Sequence, residues 1–152
     1  MTDQRITFTL PGNPIPWHRS KQTRTNRIDG KHTRFYKDKA DVKYQDALAM
    51  HAMHALQLWT QAFKKPWDAS GEFRVEVAFH VHDLRRKDID NLFKQIGDAL
   101  NNVVWDDDNQ IVSLSAKKVL NRERPHVIVT INRVHGYLED RAAEAGLGLG
   151  AV

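Results

Sequence analysis

Cysteine is absent from all 152 residues. Disulfides and thiolate metal sites are therefore excluded, and any metal must be held by oxygen or imidazole. Long apolar runs are also missing, and none approaches the roughly 18 residues of a membrane-spanning helix. The opening "MTDQRITFTL" has no basic stretch followed by an apolar one, the pattern of a secretory leader. A cytoplasmic protein without membrane attachment is the expectation. Proline is scarce, yet three of the five prolines crowd into "PGNPIP" at residues 11–16. Such a segment cannot pair in a ladder, so it breaks the strand before it. Acidic residues are few where basic ones gather. Residues 18–39 hold eight Lys or Arg against Asp29 and Asp38 alone. That window is read as a long basic loop suited to phosphate contact, since its cations lack acidic neighbours.

What is present suits a single domain with a real core. "RITFTL" puts Ile6, Phe8 and Leu10 on one side, as a short strand does. Over residues 39–63, Tyr44, Leu48, Ala52, Ala55, Trp59 and Phe63 recur at threes and fours, which predicts an amphipathic helix. Pro66 sets its latest end. "GEFRVEVAFHVH" alternates strictly, with Phe73, Val75, Val77, Phe79 and Val81 on one face. Leu92, Ile96, Ala99, Leu100 and Val103 mark a second helix, closed by Asn101 and Asn102. "IVSLSAKKVL" and "HVIVTINRV" follow as two strands, expected to form a hairpin through "NRERP". The order β-α-β-α-β-β predicts an α+β domain: a mixed four-stranded sheet with two helices. Residues 1–135 are assigned to this domain and residues 136–152 to a flexible tail.

The chemistry concentrates in "RRKDIDNLFKQIGDAL", residues 85–100. Asp88 and Asp90 stand where the strand gives way to the second helix. One aspartate there is an ordinary N-cap. Two exceed what a cap needs, and in an extended segment i and i+2 side chains point the same way. A divalent cation would offset their repulsion. Lys94 follows Asp90 by four residues, one helical turn on. As a surface pair with Asp90 it contributes about 0.3–0.5 kcal/mol; beside a metal–phosphate site it would stabilise developing charge. "WDDDNQI" adds Asp106, Asp107 and Asp108 in a polar turn, expected to return to the sheet end carrying Asp88. Carboxylates from two loops make an oxygen site for Mg²⁺ or Mn²⁺. In a basic protein that chemistry points to phosphodiesters.

"RRKDIDNLFKQIGDALNNVVWDDDNQI" resembles the central motif of the RusA family of Holliday junction resolvases. The shared features are a basic run, D-x-D-N, a lysine four residues on, D-A-L, and a tryptophan shortly before a carboxylate pair and Q-[IV]. The resemblance covers residues 6–134. It implies a homodimeric, Mg²⁺-dependent endonuclease that makes paired nicks at four-way DNA junctions. It also implies that Asp88, Asp90 and Asp108 bind the metal, and that Lys94 is essential. Counting from Trp105 and back from Gln110 favours Asp108 over Asp107. Arg85, Arg86 and Lys87 are assigned to phosphate contact, together with Arg19, Lys21, Arg24, Arg27, Lys31 and Arg34 of the basic loop. The alternative is a non-catalytic junction-binding protein of the same fold, which would have no use for carboxylates that repel phosphate.

Other residues invite blander readings. His80 and His82 share a strand face but have no third ligand at a sensible spacing, so they are read as solvated, as are His51 and His54. Trp105 is expected to anchor the loop carrying Asp108. Phe35 and Tyr36 are candidates for stacking on an opened base.

Overall fold

The computed structural model describes residues 4–19, 21–23, 34–85 and 87–146. β1 (Arg5–Pro11) leads to β2 (Lys21–Thr23) and β3 (Arg34–Tyr36), which pair antiparallel and close the base of the basic loop. Helix α1 (Lys39–Phe63) follows, then β4 (Glu72–Val81) and α2 (Ile89–Leu100). A 3₁₀ turn (Asp108–Gln110) precedes β5 (Ile111–Leu120), β6 (His126–Val134) and α3 (Tyr137–Glu144). The architecture is α+β, with one mixed four-stranded sheet in the order β1-β6-β4-β5.

Helix α1 starts where Asp38 accepts a hydrogen bond from the Ala40 N–H. It stops at Lys64, whose backbone turns left-handed just before Pro66. Its apolar stripe buries Tyr44, Leu48, Ala52 and Trp59 in the same core as Phe73, Val75, Val77, Phe79 and Val81 of β4. Leu92, Ile96, Ala99 and Leu100 of α2 complete that core. Among the described residues, no helix is long and apolar enough to cross a membrane.

Two expectations change. The last two long strands do not form a hairpin. β4 lies between them, parallel to β5 (Val75 opposite Leu114) and antiparallel to β6 (Val75 opposite Ile131). A parallel neighbour needs a crossover of a dozen or more residues, and α2 with its flanking loops supplies it. Residues 121–125 then carry the chain across the end of β4, where the Asn121 N–H donates to the Val81 carbonyl at 2.8 Å. The segment after Gly136, expected as a tail, is helical over Tyr137–Glu144. The Tyr137 N–H donates to the Glu72 carboxylate at 2.9 Å, and Arg74 lies over the Tyr137 ring.

An aromatic row ties the end of α1 to the loop after α2. Trp59, Trp67, Phe73 and Trp105 follow one another at centroid separations of 5.4, 6.2 and 5.7 Å. Trp105 is fully buried, and its Nε1–H donates to Asn101 Oδ1 at 2.9 Å. Asn102 takes the left-handed backbone that asparagine tolerates, and its N–H reaches the Trp105 carbonyl. The loop leading to Asp108 is therefore pinned from both sides, as the sequence leads one to expect.

Candidate active site

Helix α2 carries the candidate residues along one stripe. Asp90, Lys94, Gly97 and Asp98 fall within about 100° of one another at 100° per residue. Asp88 precedes them as the N-terminal boundary residue, extended at φ −72°, ψ 133°. It caps the helix with its backbone only: the Leu92 N–H donates to the Asp88 carbonyl, while its side chain makes no capping bond. The exposed Asp88 carboxylate is thus not absorbed by the structural role that one aspartate there would ordinarily fill. Asp90 is exposed in the first turn, where the helix dipole favours an anion.

Lys94 pairs forward with Asp98 at 3.8 Å, rather than back with Asp90 as the spacing suggested. Its Nζ also lies 4.9 Å from the centroid of the Trp17 ring. Trp17 is held there by its own N–H, which donates to the Asn91 carbonyl at 3.0 Å. The proline-rich segment thus lays an aromatic ring on the exposed face of α2. Sequence reasoning gave Asp98 no role, although its spacing of four from Lys94 was the available signal.

Asp108 reaches the same helix. A Cβ placed on Gly97 would stand 3.5 Å from Asp108 Oδ2, so the carboxyl group rests against the bare helix backbone. A hydrogen bond with the Asp107 carboxyl pushes Asp108 above the usual carboxylate range. Burial and the charges of Asp107 and Asp98 add to this, and Lys94 opposes it. Asp107 also accepts from the Asn109 N–H in a capping box closed by Gln110.

Topology sets the spacing of these groups. Asp88 follows the C-terminal end of β4, and Asp108 precedes the N-terminal end of its parallel neighbour β5. The two loops therefore do not share a sheet end, contrary to expectation. Seven residues separate Asp90 from Gly97, about 10 Å along the axis. Lys94 lies between these two groups. Among the described residues, no three His, Asp or Glu side chains gather closely enough to hold a metal ion.

The assigned phosphate contacts are spread differently. Arg85 and Arg19 are exposed. The Lys87 Nζ donates to the Pro14 carbonyl at 2.8 Å, and burial lowers its pKa against the pull of Asp83. It braces the proline-rich segment. Lys21 and Arg34 lie on β2 and β3, as do Phe35 and Tyr36 on β3. Arg24, Arg27, Lys31 and Arg86 lie outside the described residues.

Two histidine arrangements were not legible. His80 is not simply solvated: it stacks on His126 at 4.1 Å, while His82 Nδ1 bonds the Arg122 carbonyl. Burial, then His126 and Lys117, lower the pKa of His80. The other arrangement centres on Asp41, which is only 2% exposed. Asp41 accepts from the His18 N–H at 3.0 Å, from His18 Nδ1 at 2.8 Å and from Gln95 Nε2 at 2.9 Å. Gln45 extends the chain to Gln95 at 2.7 Å.

A family model described as endodeoxyribonuclease RusA matches residues 11–132. No curated protein matches the chain.

Proposed function

The chain belongs to the endodeoxyribonuclease RusA family, and from that membership we propose that it resolves four-way DNA junctions by paired, Mg²⁺-dependent nicks as a homodimer. The observation that carries this reading is the acidic stripe on α2. Asp108 is crowded by Asp107 and Asp98, and Lys94 is the cation beside it. Asp88 adds a carboxylate that makes no capping bond.

The donor chemistry fits a hard divalent cation, being carboxylate oxygen throughout. Mg²⁺ keeps several waters and typically takes one or two carboxylates together with substrate phosphate. It therefore does not require three side chains to converge before DNA arrives. One or two of Asp88, Asp90 and Asp108 would hold each ion, with Mn²⁺ as a substitute. Bound there, it would supply a water of lowered pKa and a counter-charge for phosphate oxygens. Lys94, steadied by Asp98 and Trp17, faces the negative charge that develops on the phosphoryl group. Arg85 and Arg19 hold the flanking backbone by charge. Two opposed cuts need two such stripes. One chain carries one, so a two-fold dimer matches the symmetry of the junction.

A synthetic immobile four-way junction and a linear duplex, each with and without Mg²⁺, test the proposal. The junction should be cut only with the ion, in opposed strands, by a species that sediments at the mass of two chains. Equal cutting of the duplex, or metal-independent cutting, would defeat it. Lys94→Ala should lower the single-turnover rate by about 10²–10³-fold, as loss of a preorganised charge partner does, while junction Kd changes by much less. Equal losses in rate and affinity would reduce Lys94 to a phosphate anchor.

A further inference from the structure

The contacts around Asp41 assign a role to His18. The buried Asp41 carboxylate can only accept, so His18 Nδ1 must carry the proton in their 2.8 Å hydrogen bond. That fixes the tautomer and leaves Nε2 as the nitrogen able to exchange a proton. The His18 side chain is half exposed, and among the described residues Nε2 has no hydrogen-bond partner. Its position is fixed as well. The preceding residue, Trp17, bonds the Asn91 carbonyl and lies over Lys94. Asp41 itself is tied to Gln95, the neighbour of Lys94 on α2. A backbone bond, a side-chain bond and a second helix thus hold one imidazole next to the residue whose ring meets Lys94. A buried carboxylate is a costly way to secure a surface loop, because its desolvation must be offset by several hydrogen bonds. It is the usual way to orient an imidazole for proton transfer.

The geometry points to His18 as the general acid of the nuclease reaction, an inference that rests on the function proposed above. With the attacking water prepared at the carboxylates, the departing 3′ oxygen is the group still in need of a proton. In this step water adds to phosphorus and the P–O3′ bond breaks. The Nε2 proton of the His18 imidazolium passes to the leaving oxygen. The proton lost by the water goes to solvent, from which His18 is recharged. Asp41 acts through His18 as a positioning residue.

A junction carrying sulfur in place of the bridging 3′ oxygen at the cut site tests this, because a thiolate leaves without protonation. On the all-oxygen junction, His18→Ala and His18→Asn should each slow single-turnover cleavage by about 10²-fold or more, the usual worth of general acid catalysis. Asparagine retains an N–H for Asp41, which separates loss of the proton carrier from loss of the fold. On the sulfur-bridged junction both variants should come within about tenfold of wild type, since the missing proton transfer is no longer needed. An equal loss on both substrates would overturn the role of His18 and leave it a loop anchor. So would full activity of His18→Asn on the all-oxygen junction. Wild-type protein that cuts neither substrate would overturn the nuclease reading, and this inference with it.

Discussion

Asp88→Asn, Asp90→Asn and Asp108→Asn should each lower Mg²⁺-dependent junction cleavage by about 10³-fold or more, the scale of losing several kcal/mol of charge stabilisation. The substitution is nearly isosteric and removes only the charge. Asp88 and Asp90 are exposed, so folding should be little affected. Junction affinity should hold or rise in the absence of metal, because each change removes a negative charge near phosphate. Gel-shift titration beside single-turnover cleavage separates the two effects. Asp107→Asn is the control. Asparagine can still accept from the Asn109 N–H, so the capping box survives, and cleavage should too. An active Asp108→Asn protein with an inactive Asp107→Asn protein would exchange the roles assigned to these neighbours. Strong cleavage by any of the three variants would remove that residue from the site.

Trp105→Ala should cost about 3–5 kcal/mol of stability, the range for removing a fully buried large aromatic side chain. The change empties the volume beside Phe73 and removes the donor to Asn101. Domains of this kind hold only about 5–15 kcal/mol in total, so a large share would be lost. Urea unfolding should show a lower midpoint with an unchanged slope. Trp105→Phe keeps much of the packing but not the hydrogen bond, and should lose much less. Its cleavage rate should still fall in fully folded protein, because the loop from Trp105 to Asp108 loses one of its two pins. An alanine variant as stable as wild type would mean that the aromatic row does not hold this loop.

The parts legible from sequence are those decided by local pattern. The 3.6-residue stripe of α1 and the strict alternation of β4 each report one buried face, and each was found with its bounds nearly right. The neighbour of a strand is another matter. "NRERP" is a credible hairpin link, and nothing within it records that β4 lies between the strands it joins. The same limit applies to the site. The spacing of Asp90 and Lys94 places them on one helix face. The partner that Lys94 takes depends on Asp98 and Trp17, and Trp17 comes from a segment more than seventy residues away. Asp41 was invisible for a related reason. A lone aspartate in the first turn of a helix is ordinary, and only the folded chain brings His18 and Gln95 to it.

The seven-residue interval between Asp90 and Gly97 has a genetic consequence. The proposed homodimer would hold two such helices, and mixing two inactive variants asks which acids belong together. Suppose Asp108 serves the aspartates of its own chain. A mixed dimer of Asp90→Asn and Asp108→Asn then has one defect in each centre and stays inactive. Suppose instead that Asp108 reaches across to the other subunit. The same mixed dimer then gathers both defects into one centre and leaves the other intact, so one strand of the junction is nicked. Intragenic complementation between these two alleles therefore reads out, as a single nick or none, how the acids are shared between two chains.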